Sequence, residues 1–159
     1  MERRSSNDMP IRDYPSHIEL LPLDTMIHGS AILEAVTAGA ARGGGSYYLG
    51  IFDGSTYLGV IEYIRAPRWA GYINIYLVPE HRAEYRWVGL WAVWDAMRML
   101  YQWGLGPHFL FEVQEDMVEY IRKFGGRRER GGLWGYRFTP QKYERARLAF
   151  EEGRLPRGR

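Results

Sequence analysis

The sequence predicts an α+β domain in which a mixed, mostly antiparallel β-sheet is flanked by helices. Two observations predict this class. Short strand-like segments joined by tight turns occur in both halves of the 159-residue chain, which is typical of antiparallel hairpins. Between them, over residues 72–113, a strand pattern leads through a loop into a long helical pattern and then into a second apolar strand. This arrangement indicates a β-α-β crossover inside the sheet.

The composition is that of one globular domain. The chain is 46% hydrophobic and 25% charged, with a net charge of only +2, which gives no indication of nucleic-acid binding. It has no cysteine, so disulfides, a thiol nucleophile and thiolate metal ligands are excluded. The polar start, Met1 to Pro10, lacks the apolar stretch of a secretory signal, and no apolar run approaches the roughly 20 residues that cross a bilayer. We therefore expect an intracellular protein without a membrane partner.

The N-terminal third predicts an arm, a strand and a helix. Residues 1–16 are polar and are expected to form a flexible arm. Residues 17–23 alternate enough for a first strand, and residues 26–41 read as a helix capped by Asp24 or Thr25. The apolar residues available for the buried face of this helix are Ile27, Leu33 and Val36.

The middle third contains the clearest strand and helix signals. Residues 47–52 and 57–64 are predicted to pair as a hairpin, because the turn between them contains Asp53-Gly54. Residues 71–78 show the best apolar–polar alternation in the chain and predict the next strand. From residue 85 to residue 103 apolar residues recur at spacings of three and four, which predicts a long helix.

The last third predicts a strand, two helices and a second hairpin. Residues 108–113 form a short apolar strand, and residues 115–124 a short helix. A hairpin over residues 127–138 follows, and Thr139-Pro140 then starts a terminal helix as cap and first residue. The chain thus has three parts: an arm at 1–16, a domain at 17–138, and a helix with a basic tail at 139–159.

This order of elements resembles that of the GNAT superfamily of acyl-CoA N-acetyltransferases over residues 17–138. In that family the fourth strand ends in a phrase such as V-x-P-x-x-R, and here the phrase runs from Leu77 to Arg82. The late helix of the family reads like A-L-Y-E-K-L-G-F, and the stretch from Val118 to Gly126 occupies that place. The resemblance implies a GNAT-like fold with its crossover at residues 72–113.

The resemblance also implies a cofactor site at the end of the fourth strand. In the family, backbone N–H groups at the start of the long helix hold the pyrophosphate of acetyl-CoA or another acyl-CoA. Arg82 would contact a phosphate, or it would be a solvated loop arginine. The residues of this chain that the resemblance places around the cofactor are Leu77, Val78, Arg82, Ala83, Arg86 and Gly89.

Glu62 and Tyr120 are the candidate catalytic residues. Glu62 and Asn74 each lie in the middle of a predicted strand, and if the strands pair, the carboxylate could face the acceptor cleft and deprotonate an amine. The alternative is that both lie on a solvated face or under a helix, paired with other polar groups. Tyr120 would protonate the leaving thiolate, or would simply pack, because the tyrosine of the family falls at Ile121 here. The four histidines show no metal-ligand spacing, so no metal site is expected.

Two functions of different classes remain open. The first is acyl transfer from acyl-CoA to an amine of a small molecule or a protein, in the cytoplasm. The second is a GNAT-fold protein that has lost activity and serves as a structural element, such as an internal virion or assembly component of a phage, with a homo-oligomer or assembly partner. The second is motivated by Glu84, Tyr85 and Trp87, which stand where the family has small residues.

Overall fold

The computed structural model describes residues 18–152, except residues 69, 83, 86, 87 and 124 and the side chains of residues 116, 120 and 150. The strands are β1 (Ile18–Pro22), β2 (Tyr47–Asp53), β3 (Thr56–Ala66), β4 (Ala70–Leu77), β5 (His108–Phe111), β6 (Arg127–Arg128) and β7 (Trp134–Arg137). The α-helices are α1 (Gly29–Thr37), α2 (Val88–Gln102), α3 (Val118–Lys123) and α4 (Pro140–Glu151).

The seven strands form one sheet in the order β1-β2-β3-β4-β5-β7-β6. The β4–β5 pair is parallel and the other five pairs are antiparallel. Helix α2 connects the two parallel strands, as a parallel pair requires. The predicted fold class, both hairpins and the β-α-β crossover are therefore confirmed.

Side chains alternate between two apolar clusters on opposite faces of the sheet. Tyr48 and Val60 pack with Ile32 and Ala35 of α1. Their neighbours Leu49 and Ile61 belong to the larger cluster, which contains most of α2 and Ala146 of α4. The sheet consequently lies between α1 on one face and α2 with α4 on the other.

Helix α1 is shorter than predicted, and its buried face differs. It spans Gly29–Thr37 and buries Ile32 and Ala35, whereas Ile27 and Leu33 are 75% and 64% exposed. Ile27 lies before the first residue of the helix, and the three-residue spacing of Ile32 and Ala35 places this pair on the face that meets the sheet.

The start of α1 was also predicted incorrectly. Neither predicted residue caps it; the N-cap residue is His28. Instead, the side chain of Asp24 accepts the N–H of Met26 at 2.8 Å and its carbonyl accepts the N–H of His28 at 2.7 Å. Asp24 therefore forms a turn of its own, which competes with helix initiation.

Helix α2 lies in the larger cluster and is mostly buried. Leu90, Trp94 and Met97, which follow one another at spacings of four and three, are at most 6% exposed, and Trp91 is buried as well. Trp103, just beyond the helix, is 44% exposed. None of the helices in the described part of the chain combines the length and the hydropathy that spanning a membrane requires.

Candidate functional site

Strand β4 extends beyond the end of β5 by half of its own length. The two strands pair only between residues 70–73 and 108–111, whereas β4 continues to pair with β3 as far as Leu77. The Val78 N–H donates to the Leu58 carbonyl on the β3 side at 2.8 Å. Because the direction of backbone groups alternates in an antiparallel pair, the N–H and C=O groups of Ile75 and Leu77 point away from β3, into the gap beside β5.

Apolar side chains border this gap on the α2 side of the sheet. Ile75 and Leu77 of β4 and Val113, just past β5, are partly buried and pack against the larger cluster. The gap thus presents hydrogen-bonding backbone groups along one edge and apolar surface beneath it. Such a lining suits a ligand that alternates amide groups with methylene groups.

The loop between β4 and α2 is folded as a series of tight turns. A 3₁₀ turn over Pro79–His81 follows the strand directly. The N–H groups of Arg82, Tyr85 and Val88 each donate to a carbonyl three or four residues earlier, at 3.3, 2.9 and 3.0 Å. Two predicted cofactor residues of this loop, Ala83 and Arg86, lie outside the described residues.

Arg82 lies where the sequence places it, at the end of β4. Its Nε donates to the Leu77 carbonyl at 2.9 Å, and its guanidinium carbon lies 5.9 Å from the centroid of the Tyr76 ring. These contacts hold a positive charge beside the mouth of the gap. They also occupy one of the carbonyl groups that point into it.

Tyr85 and Asp53 form a loop latch that the sequence did not predict. The Tyr85 hydroxyl donates to the Asp53 carboxylate, which ties the β4–α2 loop to the end of β2. This hydrogen bond, with burial adding to it, raises the pKa of Tyr85 to about 12. The two residues are 32 positions apart, and no sequence signal connects the Asp53-Gly54 turn with the β4–α2 loop.

Gly89 permits close packing of α2 on β4. A Cβ at this position would lie 3.1 Å from Cδ1 of Leu77. The glycine is thus explained by helix–sheet contact, and its role toward a phosphate stays a prediction.

Glu62 is fully buried and accepts four hydrogen bonds. It lies opposite Asn74 in the β3–β4 pair, and Asn74 Nδ2 donates to it at 2.9 Å. The Tyr48 hydroxyl and the backbone N–H groups of Arg42 and Gly43 donate at 2.8 Å each. The strand pairing expected for Glu62 and Asn74 is confirmed, and the carboxylate fastens the loop after α1 to the sheet.

The hydrogen bonds of Glu62 favour its ionised form. Burial raises the pKa of this carboxyl, but the N–H of Arg42, the amide of Asn74, the hydroxyl of Tyr48 and the N–H of Gly43 together bring it below its ordinary value. A carboxylate with four donors and no exposed surface is a stable anion. This geometry corresponds to the alternative in which Glu62 is paired with other polar groups.

Tyr120, the other candidate catalytic residue, belongs to α3, but its side chain lies outside the described residues. Its neighbour Ile121 is 4% exposed and joins the larger cluster. Within the described ranges, no three His, Asp or Glu side chains are grouped as metal ligands.

Solved structures of acetyltransferases share this fold. Apo FdhC, a nucleotide-linked sugar GNAT, aligns with a TM-score of 0.58 at 13% identity, over 89% of this chain and 97% of its own. A mutant spermidine N-acetyltransferase, SpeG of Vibrio cholerae, aligns with 0.55 at 14% identity, over 81% and 97%. PaiA N-acetyltransferase of Thermoplasma acidophilum, in complex with coenzyme A, aligns with 0.50 at 18% identity, over 76% and 99%.

The sequence matches no protein-family model, and no curated protein matches it. The likeness to these acetyltransferases is therefore one of fold and not of sequence. The chain has the fold of the GNAT acetyltransferases.

Proposed function

We propose that this protein binds an acyl-CoA in the gap between β4 and β5 and transfers the acyl group to an amine. The observation that carries the proposal is the end of β5 opposite Ile73, which leaves residues 74–77 of β4 without a partner strand on that side among the described residues. An acyl-pantetheine arm added there would hydrogen-bond to the backbone of Ile75 and Leu77, as an extra strand does at a sheet edge. Its methylene groups would cover the apolar side chains beneath.

The binding of the phosphates is assigned to the β4–α2 loop. Leu77 would contribute its backbone N–H to the pantetheine arm, and Arg82 a cation for the pyrophosphate. Val78 would lie beside the arm without bonding to it, because its N–H donates to Leu58 and its carbonyl accepts from His81. Ala83, Arg86 and Gly89 would surround the phosphates at the start of α2, where the helix dipole favours anions. For Arg82 to reach a phosphate, its hydrogen bond to the Leu77 carbonyl must be given up or shared.

The chemical step is an aminolysis of a thioester. The amine nitrogen attacks the thioester carbonyl carbon, the carbon–sulfur bond breaks, and the thiolate takes a proton from Tyr120. The proton lost by the amine passes to water. Glu62 is the candidate for assisting this step, and its four donors favour an anchoring role for it as well, because they fasten the loop after α1 to the sheet.

The acceptor is proposed to be a primary amine of a small molecule or a protein side chain. Support comes from the solved structures of the same fold, which include a spermidine N-acetyltransferase and an acetyltransferase bound to coenzyme A. Their low identity to this chain leaves the particular amine open to experiment.

Calorimetric titration with acetyl-CoA, together with an assay of thiol release over a panel of amines, tests this function. We expect a Kd in the micromolar range, and a roughly tenfold weaker Kd for Arg82→Ala because one charge-assisted hydrogen bond to phosphate is lost. Arg128→Ala, an exposed arginine of β6, should bind as the unmodified protein does. Absence of binding at millimolar acetyl-CoA would contradict the proposal.

A second candidate function is a structural one without catalysis. Two observations favour it: Arg82 already bonds the Leu77 carbonyl, and the loop latch joins Tyr85 to Asp53. Both contacts engage groups around the proposed cofactor site. A homo-oligomer or assembly component, such as an internal virion protein of a phage, would depend on the fold but would not need to bind acyl-CoA.

Light scattering after size exclusion separates the two functions. The structural role predicts a stable oligomer that gives no heat with acetyl-CoA. A monomer that binds acetyl-CoA and acylates an amine would rule this role out.

A further inference from the structure

A cavity lies at the end of the sheet far from the proposed acyl-CoA site. Its volume is about 330 Å³, within the range of small-ligand pockets. It lies where the β3–β4 turn meets the segment that follows α2. The lining residues that the argument uses are Tyr63, Arg65, Arg68, Ala70, Gly104 and Gly106.

Two arginines give this cavity a positive charge. Arg65 lies near the end of β3 and Arg68 in the turn before β4, and both are exposed. Neither forms an ion pair with a carboxylate of the described residues, unlike Arg98 and Arg147, which bond to acidic neighbours on their own helices. An anion that entered the cavity would therefore meet two guanidinium groups that no described carboxylate neutralises.

The backbone at Arg68 has a conformation that arginine rarely adopts. Its φ is 64°, which makes it the only residue other than glycine with a positive φ among the described residues. Glycine or asparagine would satisfy this position in a three-residue hairpin turn with less strain. A strained residue at the edge of a cavity suggests that the side chain is retained for binding and not for the turn itself.

Aromatic side chains lie next to the charged part of the cavity. Tyr63 forms part of the cavity wall. The centroid of the Tyr47 ring lies 6.3 Å from the centroid of the Tyr63 ring. Tyr47 and Trp103 are 40% and 44% exposed, with their ring centroids 6.0 Å apart. This exposed pair adjoins the lining through Tyr63, whose ring Tyr47 approaches, and through Gly104, which follows Trp103 in the chain.

We propose that this cavity is a binding site for a small ligand that joins an anionic group to a planar ring, such as a nucleoside monophosphate or an aromatic carboxylate. Arg65 and Arg68 would hold the phosphate or carboxylate in charge-assisted hydrogen bonds. Tyr47 and Trp103 would contact the ring. This chemistry requires both parts of the ligand, so neither part alone should bind well.

The proposed anion site is separate from the acyl-CoA site. Ala70, which lines it, begins β4, whereas Leu77 ends the same strand. Seven residues of strand place these ends about 23 Å apart. Binding at one site is therefore testable without the other, and failure of the acyl-CoA proposal would not affect this one.

Calorimetric titration with four probes tests the proposal: adenosine 5′-monophosphate, benzoate, adenosine and inorganic phosphate. We expect either adenosine monophosphate or benzoate to bind with a Kd below about 1 mM, with adenosine and inorganic phosphate at least tenfold weaker. Whichever binds identifies the anionic group that the site prefers. Saturating acetyl-CoA should leave that Kd unchanged. If both probes with a ring and an anion fail, or if inorganic phosphate alone binds as tightly as either, the proposal is wrong.

Variants locate the binding. Arg65→Ala should weaken the Kd about tenfold, while Arg128→Ala, an exposed arginine on β6, should not change it. Arg68→Gly is the sharper variant, because it should weaken binding about tenfold and at the same time raise the melting temperature by relieving the positive φ. If Arg65→Ala and Arg68→Gly, both folded by circular dichroism, bind as tightly as the unmodified protein, the assignment is wrong.

Discussion

Glu62 shows how a single side chain can hold a loop in place. Its carboxylate accepts two backbone N–H groups from the loop after α1, the hydroxyl of Tyr48 and the amide of Asn74. The side chain is buried, so each of these donors would lack a partner if the carboxylate were changed. The order of the loop after α1 therefore depends on one charge.

Replacing that carboxylate by an amide should destabilise the protein. In Glu62→Gln an NH₂ group faces the N–H of Arg42 or Gly43, so at least one buried donor loses its acceptor. We expect the free energy of unfolding to fall by about 2 kcal/mol, measured by urea denaturation at neutral pH. Glu19→Gln, at an exposed position of β1, should change it by less than about 0.5 kcal/mol. Equal effects of the two changes would contradict the anchoring role.

The same side chain predicts part of the acid sensitivity of the fold. The pKa of Glu62 is lower in the folded protein than its ordinary value of 4.5, so the folded state favours the ionised form. Its contribution to stability is therefore present above about pH 4.5 and is lost as the pH falls through the folded pKa. Glu62→Gln should lose less stability than the unmodified protein between pH 7 and pH 3. An identical loss in both proteins would show that Glu62 is not ionised in the fold.

The loop latch joins two elements that are far apart in the sequence. Tyr85→Phe keeps the ring that packs against the larger cluster but removes the donor to Asp53. We expect faster hydrogen exchange at the N–H groups of Tyr85 and Val88, because the loop opens more often. Exchange in α4 should not change. Tyr101→Phe, whose ring stacks on Phe138, is the matched control and should leave loop exchange as it is.

The pairing of β3 with β4 requires a glycine. A Cβ at Gly59 would lie only 2.0 Å from the carbonyl oxygen of Tyr76, which is a backbone atom that cannot turn away. Gly59→Ala should therefore separate the strands locally and lower the free energy of unfolding by about 3 kcal/mol. Gly44→Ala has no atom within 4 Å of the added Cβ and should be neutral or slightly stabilising. Thermal melts of both variants check this, and a neutral Gly59→Ala would be evidence against the register.

The sequence predicts the sheet well because its signals are local. The two-residue period of β4 and the Asp53-Gly54 turn each specify structure within a few positions. The start of α1 was missed because Asp24 has two competing uses, a helix cap and a turn, and only packing decides between them. Periodicity alone does not reveal such a choice.

The candidate site was predictable only in its position. The phrase from Leu77 to Arg82 places the β4–α2 loop correctly, because it follows directly from the strand pattern. Asn74 was expected opposite Glu62, but the other partners of Glu62, and that of Tyr85, come from positions 14 to 32 residues away. These partners depend on how the strands and loops come together in space, for which a single sequence carries no pattern.

The terminal helix α4 is part of the packed molecule, and this can be tested at two positions on one helix. Ala146 is fully buried in the larger cluster, whereas Leu148, two positions later, is 44% exposed. Ala146→Asp places a charge among apolar side chains, so we expect the free energy of unfolding to fall by about 3 kcal/mol or more. Leu148→Asp on the solvent side should change it by less than about 1 kcal/mol. If urea denaturation showed equally small effects for both, α4 would not be docked on α2, and residues 139–152 would be a segment apart from the domain.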